Sequence, residues 1–151
     1  MFAQSNTAVS ETSFQEKRPK RILVVDDEPD IRRLNTKILC GHGYQVDSAD
    51  DGISAWEIMQ QNNYDLLVTD NQMSHLNGIE LIKKLHDLDI IVPAVLATGV
   101  PPTEELKKHP GLPIKAVILK PYSVAALLAI VSRVLDEMDV SSQVSGSANH
   151  P

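Results

Sequence analysis

Charged and hydroxyl residues directly follow four short apolar stretches of this sequence, and their types suit phosphoryl chemistry on a carboxylate. The stretches, with the residues that follow them, are 21–25 with Asp26 and Asp27, 66–69 with Asp70, 94–97 with Thr98, and 116–119 with Lys120. Burying an unpaired carboxylate is costly, so a buried strand that ends in Asp70 implies a use for that charge. Ligand sites in open α/β sheets lie just past the carboxyl ends of the strands. If the stretches are parallel neighbours, these groups converge into a site for a divalent cation and phosphoryl transfer.

The rest of the sequence supplies the elements that would position these groups. Apolar residues recur at helical spacing after each predicted strand, as with Ile31, Leu34, Ile38 and Leu39. The predicted strands are 21–25, 44–49, 65–69, 93–97 and 114–119, and the predicted helices are 29–40, 53–61, 79–85, 104–108 and 123–138. Strands that alternate with helices through short loops predict a parallel sheet covered by helices on both faces.

The length and composition predict one globular domain with flexible ends. The 151 residues are 42% hydrophobic, and the net charge of −6 argues against direct nucleic-acid binding. We expect a domain at 21–139, a disordered arm at 1–20 and a disordered tail at 140–151. Cys40, the only cysteine, allows no internal disulfide and is expected in the core. With no signal-peptide core and no apolar run of about 20 residues, we expect a cytoplasmic protein without membrane insertion.

Four segments, taken in order, resemble the receiver domain of two-component response regulators. They are residues 23–28 (LVVDDE), residues 67–73 (LVTDNQM) with Gly78, then Thr98, and residues 120–122 (KPY). Each segment alone is weak evidence, but all four stand at predicted strand ends and together span roughly 21–138. The resemblance implies a flavodoxin-like (CheY-like) α/β fold, with a five-stranded parallel sheet of order 2-1-3-4-5 and helices on both faces.

The resemblance also implies a phosphoacceptor and a metal site. Asp70 would accept a phosphoryl group from a sensor histidine kinase or a histidine phosphotransfer protein. Asp26, Asp27 and Asp70 would hold Mg²⁺, and the backbone carbonyl of Gln72 would complete the protein ligands. The chemistry of the residues agrees, because three close carboxylates repel one another and a hard divalent cation relieves that repulsion.

Thr98 and Lys120 would contact the phosphoryl oxygens, by the same resemblance, and Lys120–Pro121 is a candidate cis peptide. Lysine supplies a compact positive charge, and a threonine hydroxyl can turn toward a new acceptor. Phosphorylation should therefore draw Thr98 and its loop inward and switch partner binding. The family usually has an aromatic residue where Val117 stands and proline where Ser74 stands. Without an aromatic ring to swing inward, we expect phosphorylation to change the face of the fourth helix, fifth strand and fifth helix little.

Several functions fit such a sheet, and a stand-alone receiver that binds a downstream protein is the leading hypothesis. It would catalyse only its own phosphotransfer and autodephosphorylation. A relay receiver of a hybrid histidine kinase is the alternative. A phosphatase of the haloacid dehalogenase type would need a second aspartate where Gln72 stands, and a flavin protein would need a hydroxyl- and glycine-rich loop where residues 26–29 are acidic. The intact set of Asp70, Thr98 and Lys120 argues against a receiver-like domain that only binds partners.

Overall fold

A computed structural model describes residues 18–148, with side chains described as far as residue 142. Strands and helices alternate along this part of the chain, as the sequence pattern predicts. The strands are β1 (Arg21–Val25), β2 (Gln45–Ala49), β3 (Leu66–Asp70), β4 (Ala94–Thr98) and β5 (Ile114–Leu119). The helices are α1 (Pro29–Gly41), α2 (Gly52–Gln61), α3 (Gly78–Asp87), α4 (Thr103–Lys108) and α5 (Val124–Ala148).

The five strands form one parallel sheet in the order β2-β1-β3-β4-β5, which confirms the predicted flavodoxin-like fold. Val25 pairs with Thr69, Asp70 pairs with Ala97, and Thr98 pairs with Leu119. The last residues of β1, β3, β4 and β5 are therefore nearly level. This register brings the polar residues that end these strands to one edge of the sheet.

Each face of the sheet is covered by its own group of buried side chains. Neighbouring residues of a strand point to opposite faces, so Leu23 belongs to one group and Val24 to the other. The first group includes Leu81 of α3, and the second includes Leu127 of α5. Burial on both faces explains why β1 and β3 are almost continuously apolar in sequence.

Helix α1 turns a different face to the sheet from the one that its apolar residues suggest. Its buried residues are Leu39 and Asn35, whereas Leu34 is 53% exposed. Cys40 is also exposed, so its predicted place in the core is wrong. Asn35 is four residues from both Ile31 and Leu39, and this spacing places it on the inward side of the helix.

Structure extends beyond the predicted domain at both ends. Residues 18–20, which we expected to be disordered, are held by an ion pair between Arg18 and Asp65 at 3.0 Å and by the amide of Gln45, which donates to the carbonyl of Lys20. Helix α5 continues to Ala148 instead of ending near Met138, so residues 140–148 of the predicted tail are helical. No proline lies between Met138 and Pro151, so each residue added after Met138 extends a helix that is already nucleated. The predicted disorder of residues 1–17 and 149–151 concerns parts of the chain outside the described residues.

Candidate functional site

Three aspartates meet at the carboxyl edge of the sheet. Asp26 and Asp27 follow β1 and Asp70 ends the adjacent β3, and one carboxylate oxygen from each lies within 4.8 Å of the others. Asp26 is 2% exposed and Asp70 is 6% exposed, whereas Asp27 is exposed to solvent. We call these three residues the carboxylate cluster. The cluster combines two desolvated carboxylates with one that is open to an approaching cation.

Lys120 lies against the two buried members of the carboxylate cluster. Its Nζ is 3.2 Å from Oδ2 of Asp26 and 3.4 Å from Oδ2 of Asp70. Burial alone would lower the pKa of Lys120, but the attraction of Asp26 and Asp70 outweighs it and raises that pKa above the ordinary value. The ammonium group is therefore charged, and it partly neutralises the cluster.

The pKa of Asp70 is also raised, but here burial outweighs the attraction of the neighbouring charge. Burial is the largest cause, and repulsion from Asp26 adds to it. The positive charge of Lys120 lowers the pKa of Asp70, as does the amide of Gln72, which donates to Asp70 Oδ1 at 3.2 Å. That hydrogen bond places Gln72 beside the cluster, where the prediction requires it, although the ligand role of its carbonyl stays a prediction.

The loop that carries Asp26 is fixed by two further hydrogen bonds. The amide of Glu28 donates to Asp26 Oδ1 at 2.9 Å, and Arg32 Nη1 donates to the backbone carbonyl of Asp26 at 2.8 Å. Arg32 lies in the first turns of α1, so this hydrogen bond attaches the loop to the helix. The sequence pattern does not indicate this role for Arg32, and its only signal is the proximity of position 32 to the acidic residues.

Gly78 explains how α3 can begin so close to Asp70. A Cβ atom at this position would lie 2.6 Å from the carbonyl oxygen of Asp70 and 2.8 Å from Cδ1 of Leu96. Asn77 caps the helix by accepting from the amide of Glu80, whose side chain in turn accepts from the amide of Asn77. The cap and the absent side chain together set the path of the loop that follows the buried aspartate.

Thr98 is buried at the end of β4, but its hydroxyl is not directed at the carboxylate cluster. Its Oγ1 donates to the carbonyl of Val100 at 2.8 Å, within the loop that follows the strand. Among residues 18–142, the hydrogen bonds of this hydroxyl stay within that loop. The structure therefore brings Lys120 to the cluster and leaves the Thr98 hydroxyl turned toward its own backbone.

A hydrogen bond that the sequence did not indicate joins α1 to the segment after β5. Asn35 Nδ2 donates to the phenolic oxygen of Tyr122 at 2.7 Å, and Asn35 is 4% exposed. Tyr122 is only two residues from Lys120, and the intervening Lys120–Pro121 peptide bond is cis. A polar residue at an inward position of α1 was the available signal, but its partner is far away in sequence.

The sheet order, the three carboxylates and the lysine at one edge define a CheY-like protein. In agreement with that geometry, residues 22–132 match the family model described as the response regulator receiver domain. The chain belongs to this family, whose members are signalling domains of two-component systems rather than conventional enzymes.

Related proteins include both short and long chains. Over 117 residues the chain is 33% identical to the response regulator receiver protein CpdR of Brucella abortus, covering 77% of this chain and 97% of that protein. It is also 32% identical over 106 residues to the sensor histidine kinase RcsC of Salmonella typhi, covering 70% of this chain and 11% of the kinase. A solved CheY-like receiver domain from Methanospirillum hungatei JF-1 superposes with a TM-score of 0.76 at 27% identity, covering 82% of this chain and 99% of that one.

Among the described residues, no helix is both long and apolar enough to cross a membrane.

Proposed function

We propose that this receiver accepts a phosphoryl group on Asp70 from a sensor histidine kinase or a histidine phosphotransfer protein, and that the modification switches its binding to a downstream protein. The proposal is carried by one observation: Asp70 is buried in the carboxylate cluster with the ammonium of Lys120 3.4 Å away. A buried carboxylate with a positive charge beside it can take up a phosphoryl group without accumulating unbalanced charge.

The carboxylate cluster fits Mg²⁺ by the chemistry of its donors. Oxygen ligands suit a hard divalent cation, and Mg²⁺ in proteins is commonly held by one or two carboxylates together with waters and phosphate oxygens. Asp26, Asp27 and Asp70 would hold the ion, with the carbonyl of Gln72 as a further ligand. When bound, Mg²⁺ would neutralise charge that develops on the phosphoryl oxygens.

The chain itself supplies the nucleophile and its positioning. A carboxylate oxygen of Asp70 forms the new bond to phosphorus while the bond from phosphorus to the donor nitrogen breaks, and the electron pair of that bond leaves with the donor. The ammonium of Lys120 then pairs with a phosphoryl oxygen. Burial of Asp70 limits the approach of water to the acyl phosphate. These are effects of position and charge, which carry most of the catalysis in phosphoryl transfer.

The switch would be a change of hydrogen-bond partner at Thr98. Phosphorylation adds roughly −1.5 to −2 charge and three strong acceptor oxygens. In the unmodified protein the Thr98 hydroxyl donates to the carbonyl of Val100. Turning this hydroxyl toward the phosphoryl group would release Val100 and shift the loop between β4 and α4. Val117 is too small to follow as an aromatic residue would, so we expect the effect to stay near that loop.

Two biological settings remain for the same chemistry. Coverage of 97% of the receiver protein CpdR favours a stand-alone receiver that acts by binding another protein. Similarity to segments of sensor kinases, including RcsC and EvgS, supports the second candidate, a relay receiver of a hybrid histidine kinase. The acidic net charge and the absence of a spanning helix in the described residues fit a cytoplasmic protein that binds neither nucleic acid nor membrane directly.

Intact-protein mass spectrometry with acetyl phosphate as donor tests the proposal. We expect the mass of one phosphoryl group to be added in the presence of Mg²⁺ and not in the presence of a chelator. Asp70→Asn should abolish the addition, whereas Asp50→Asn, at an exposed turn residue, should leave it unchanged. Labelling that persists in the Asp70→Asn variant, or that does not require the divalent cation, would contradict the assignment.

A further inference from the structure

We propose that the hydrogen bond between Asn35 and Tyr122 positions Lys120 for the reaction, by tying the segment 120–122 to α1. The inference rests on the proposed function, because it assigns to Asn35 and Tyr122 the task of holding the lysine that faces Asp70. Neither residue touches the carboxylate cluster in a described hydrogen bond, so both act through Lys120 as positioning residues.

The bond has the features of a fixed contact. Asn35 Nδ2 lies 2.7 Å from the phenolic oxygen of Tyr122, and the Asn35 side chain is almost completely buried. Burying an amide is unfavourable unless it forms hydrogen bonds. Replacing both partners of a buried hydrogen bond by apolar groups of the same shape can be nearly neutral for stability, but it would not fix the direction of the ring at position 122. A buried polar pair is therefore better explained by orientation than by stability.

Helix α1 holds both partners of the Lys120–Asp26 ion pair. Arg32 donates to the backbone carbonyl of Asp26 at 2.8 Å, and Asn35, three residues later on the same side of the helix, donates to Tyr122 at 2.7 Å. One rigid element thus fixes the loop of the acidic partner and the segment of the basic partner. The 3.2 Å distance from Lys120 Nζ to Asp26 Oδ2 is set from both ends.

Packing alone does not hold the segment 120–122. An open groove with a volume of about 300 Å³ runs between this segment and α1, so one side of the segment lacks packed neighbours. Its lining residues are Ile31, Leu34, Asn35, Lys120, Pro121 and Tyr122. The amide of Lys120 donates to the carbonyl of Thr98 at 2.9 Å, which ties the start of the segment to β4. The Asn35–Tyr122 hydrogen bond crosses the groove and ties the other end of the segment to α1, where the groove leaves room for a shift.

Tyr122→Phe removes the phenolic oxygen alone, and Tyr44→Phe is the matched control. Tyr44 packs against the same buried group as Tyr122, but it precedes β2, the outer strand on the side of the sheet opposite to β5. Phosphorylation rates would be measured against acetyl phosphate concentration at saturating Mg²⁺, at a temperature where all variants are folded. We expect Tyr122→Phe to lower the maximal rate about two- to tenfold, the range that corresponds to losing a neutral hydrogen bond. The KM should stay near that of the wild type, and Tyr44→Phe should change neither value.

A Lys120→Ala background separates positioning from a general effect on the fold. If Tyr122 acts through Lys120, Tyr122→Phe causes no further loss of rate in the Lys120→Ala protein. The pair Asn35→Leu with Tyr122→Phe adds a second check, because it replaces the hydrogen bond with an apolar contact. This double variant should recover stability against urea relative to Tyr122→Phe, whereas its phosphorylation rate should stay low.

Each outcome decides the inference. An unchanged rate in Tyr122→Phe, an equal fold-loss with and without Lys120, or a wild-type rate in the double variant would overturn the positioning role while leaving phosphorylation of Asp70 intact. Failure of the wild-type protein to gain a phosphoryl group at all would instead remove the proposed function, and the inference with it.

Discussion

Replacing Gly78 with alanine tests whether the close approach of α3 to β3 sets the position of Asp70. The new Cβ would lie 2.6 Å from the Asp70 carbonyl oxygen, 2.8 Å from Cδ1 of Leu96 and 3.1 Å from Cα of Asn71. Ordinary contacts begin near 3.4 Å, so the closest atom would have to move by about 0.8 Å. That atom belongs to the backbone of a central strand, which cannot turn aside as a flexible side chain can.

The expected cost follows from two opposing effects. Forcing an extra carbon into a packed site typically costs about 1–3 kcal/mol. Alanine favours a helix over glycine by up to about 1 kcal/mol, and this gain offsets part of the loss. We therefore expect Gly78→Ala to lower the free energy of unfolding by about 1–2 kcal/mol. The phosphorylation rate should also fall, because the strand that carries Asp70 must shift.

Urea denaturation measures this change, and Gly41→Ala is the matched control. Gly41 ends α1, and a Cβ there would meet no atom within 4 Å. Gly41→Ala should leave the free energy of unfolding unchanged or raise it by up to about 1 kcal/mol. If Gly78→Ala were as stable as the wild type and as active, the contact with the Asp70 carbonyl would not constrain the site and the reasoning would fail.

Two other predictions concern charges at opposite edges of the sheet. Lys120→Ala should bind Mg²⁺ more tightly than the wild type, because the carboxylate cluster loses a competing positive charge, and its phosphorylation should be slower. Weaker Mg²⁺ binding in isothermal titration calorimetry would contradict the first expectation. Burial would raise the pKa of Asp65, but the hydrogen bonds from Arg18 and from the amide of Arg21 outweigh it and hold that pKa below the ordinary value. Their stabilisation is therefore present above the unfolded pKa and is lost as the pH falls through the folded one. Asp65→Asn should lower the free energy of unfolding by about 1 kcal/mol at pH 7 and by progressively less below about pH 4. Urea denaturation at pH 7 and below about pH 4 measures this difference between variant and wild type, and a difference that did not change with pH would argue against the prediction.

The position of the site at the carboxyl edge of the sheet could be predicted, because each of its residues is marked by the apolar stretch directly before it in the sequence. Asp26, Asp70 and Lys120 each follow an apolar stretch, and a parallel sheet brings such positions together whatever their separation along the chain. The direction of a side chain has no such signal. Thr98 stands at the end of β4 as expected, but its hydroxyl donates to Val100 within its own loop. Sequence spacing places a residue at a strand end and leaves its rotamer undetermined.

Helix α1 shows that the local sequence pattern can also mispredict which side of a helix is buried. Counting apolar residues favours Leu34 as an inward residue, yet Leu34 is exposed and its neighbour Asn35 is buried. The amide is tolerated because it donates to Tyr122, a residue contributed by a distant part of the chain. Contacts between residues so far apart in sequence cannot be read from the local pattern that predicts the helix. The polar residues after Met138 predict the end of α5, yet the helix continues to Ala148.

The ion pairs at the amino edge of the sheet bear on how this protein can be attached to a surface or a label. Lys20 Nζ lies 2.7 Å from Asp139 Oδ1, so the segment before β1 and helix α5 meet at that edge. Each five-residue strand spans about 16 Å from there to the edge that carries Asp70. A tether placed ahead of Arg18 would therefore leave the acidic edge facing solution. Immobilised in this orientation, the protein would meet a soluble phosphodonor or a binding partner without obstruction.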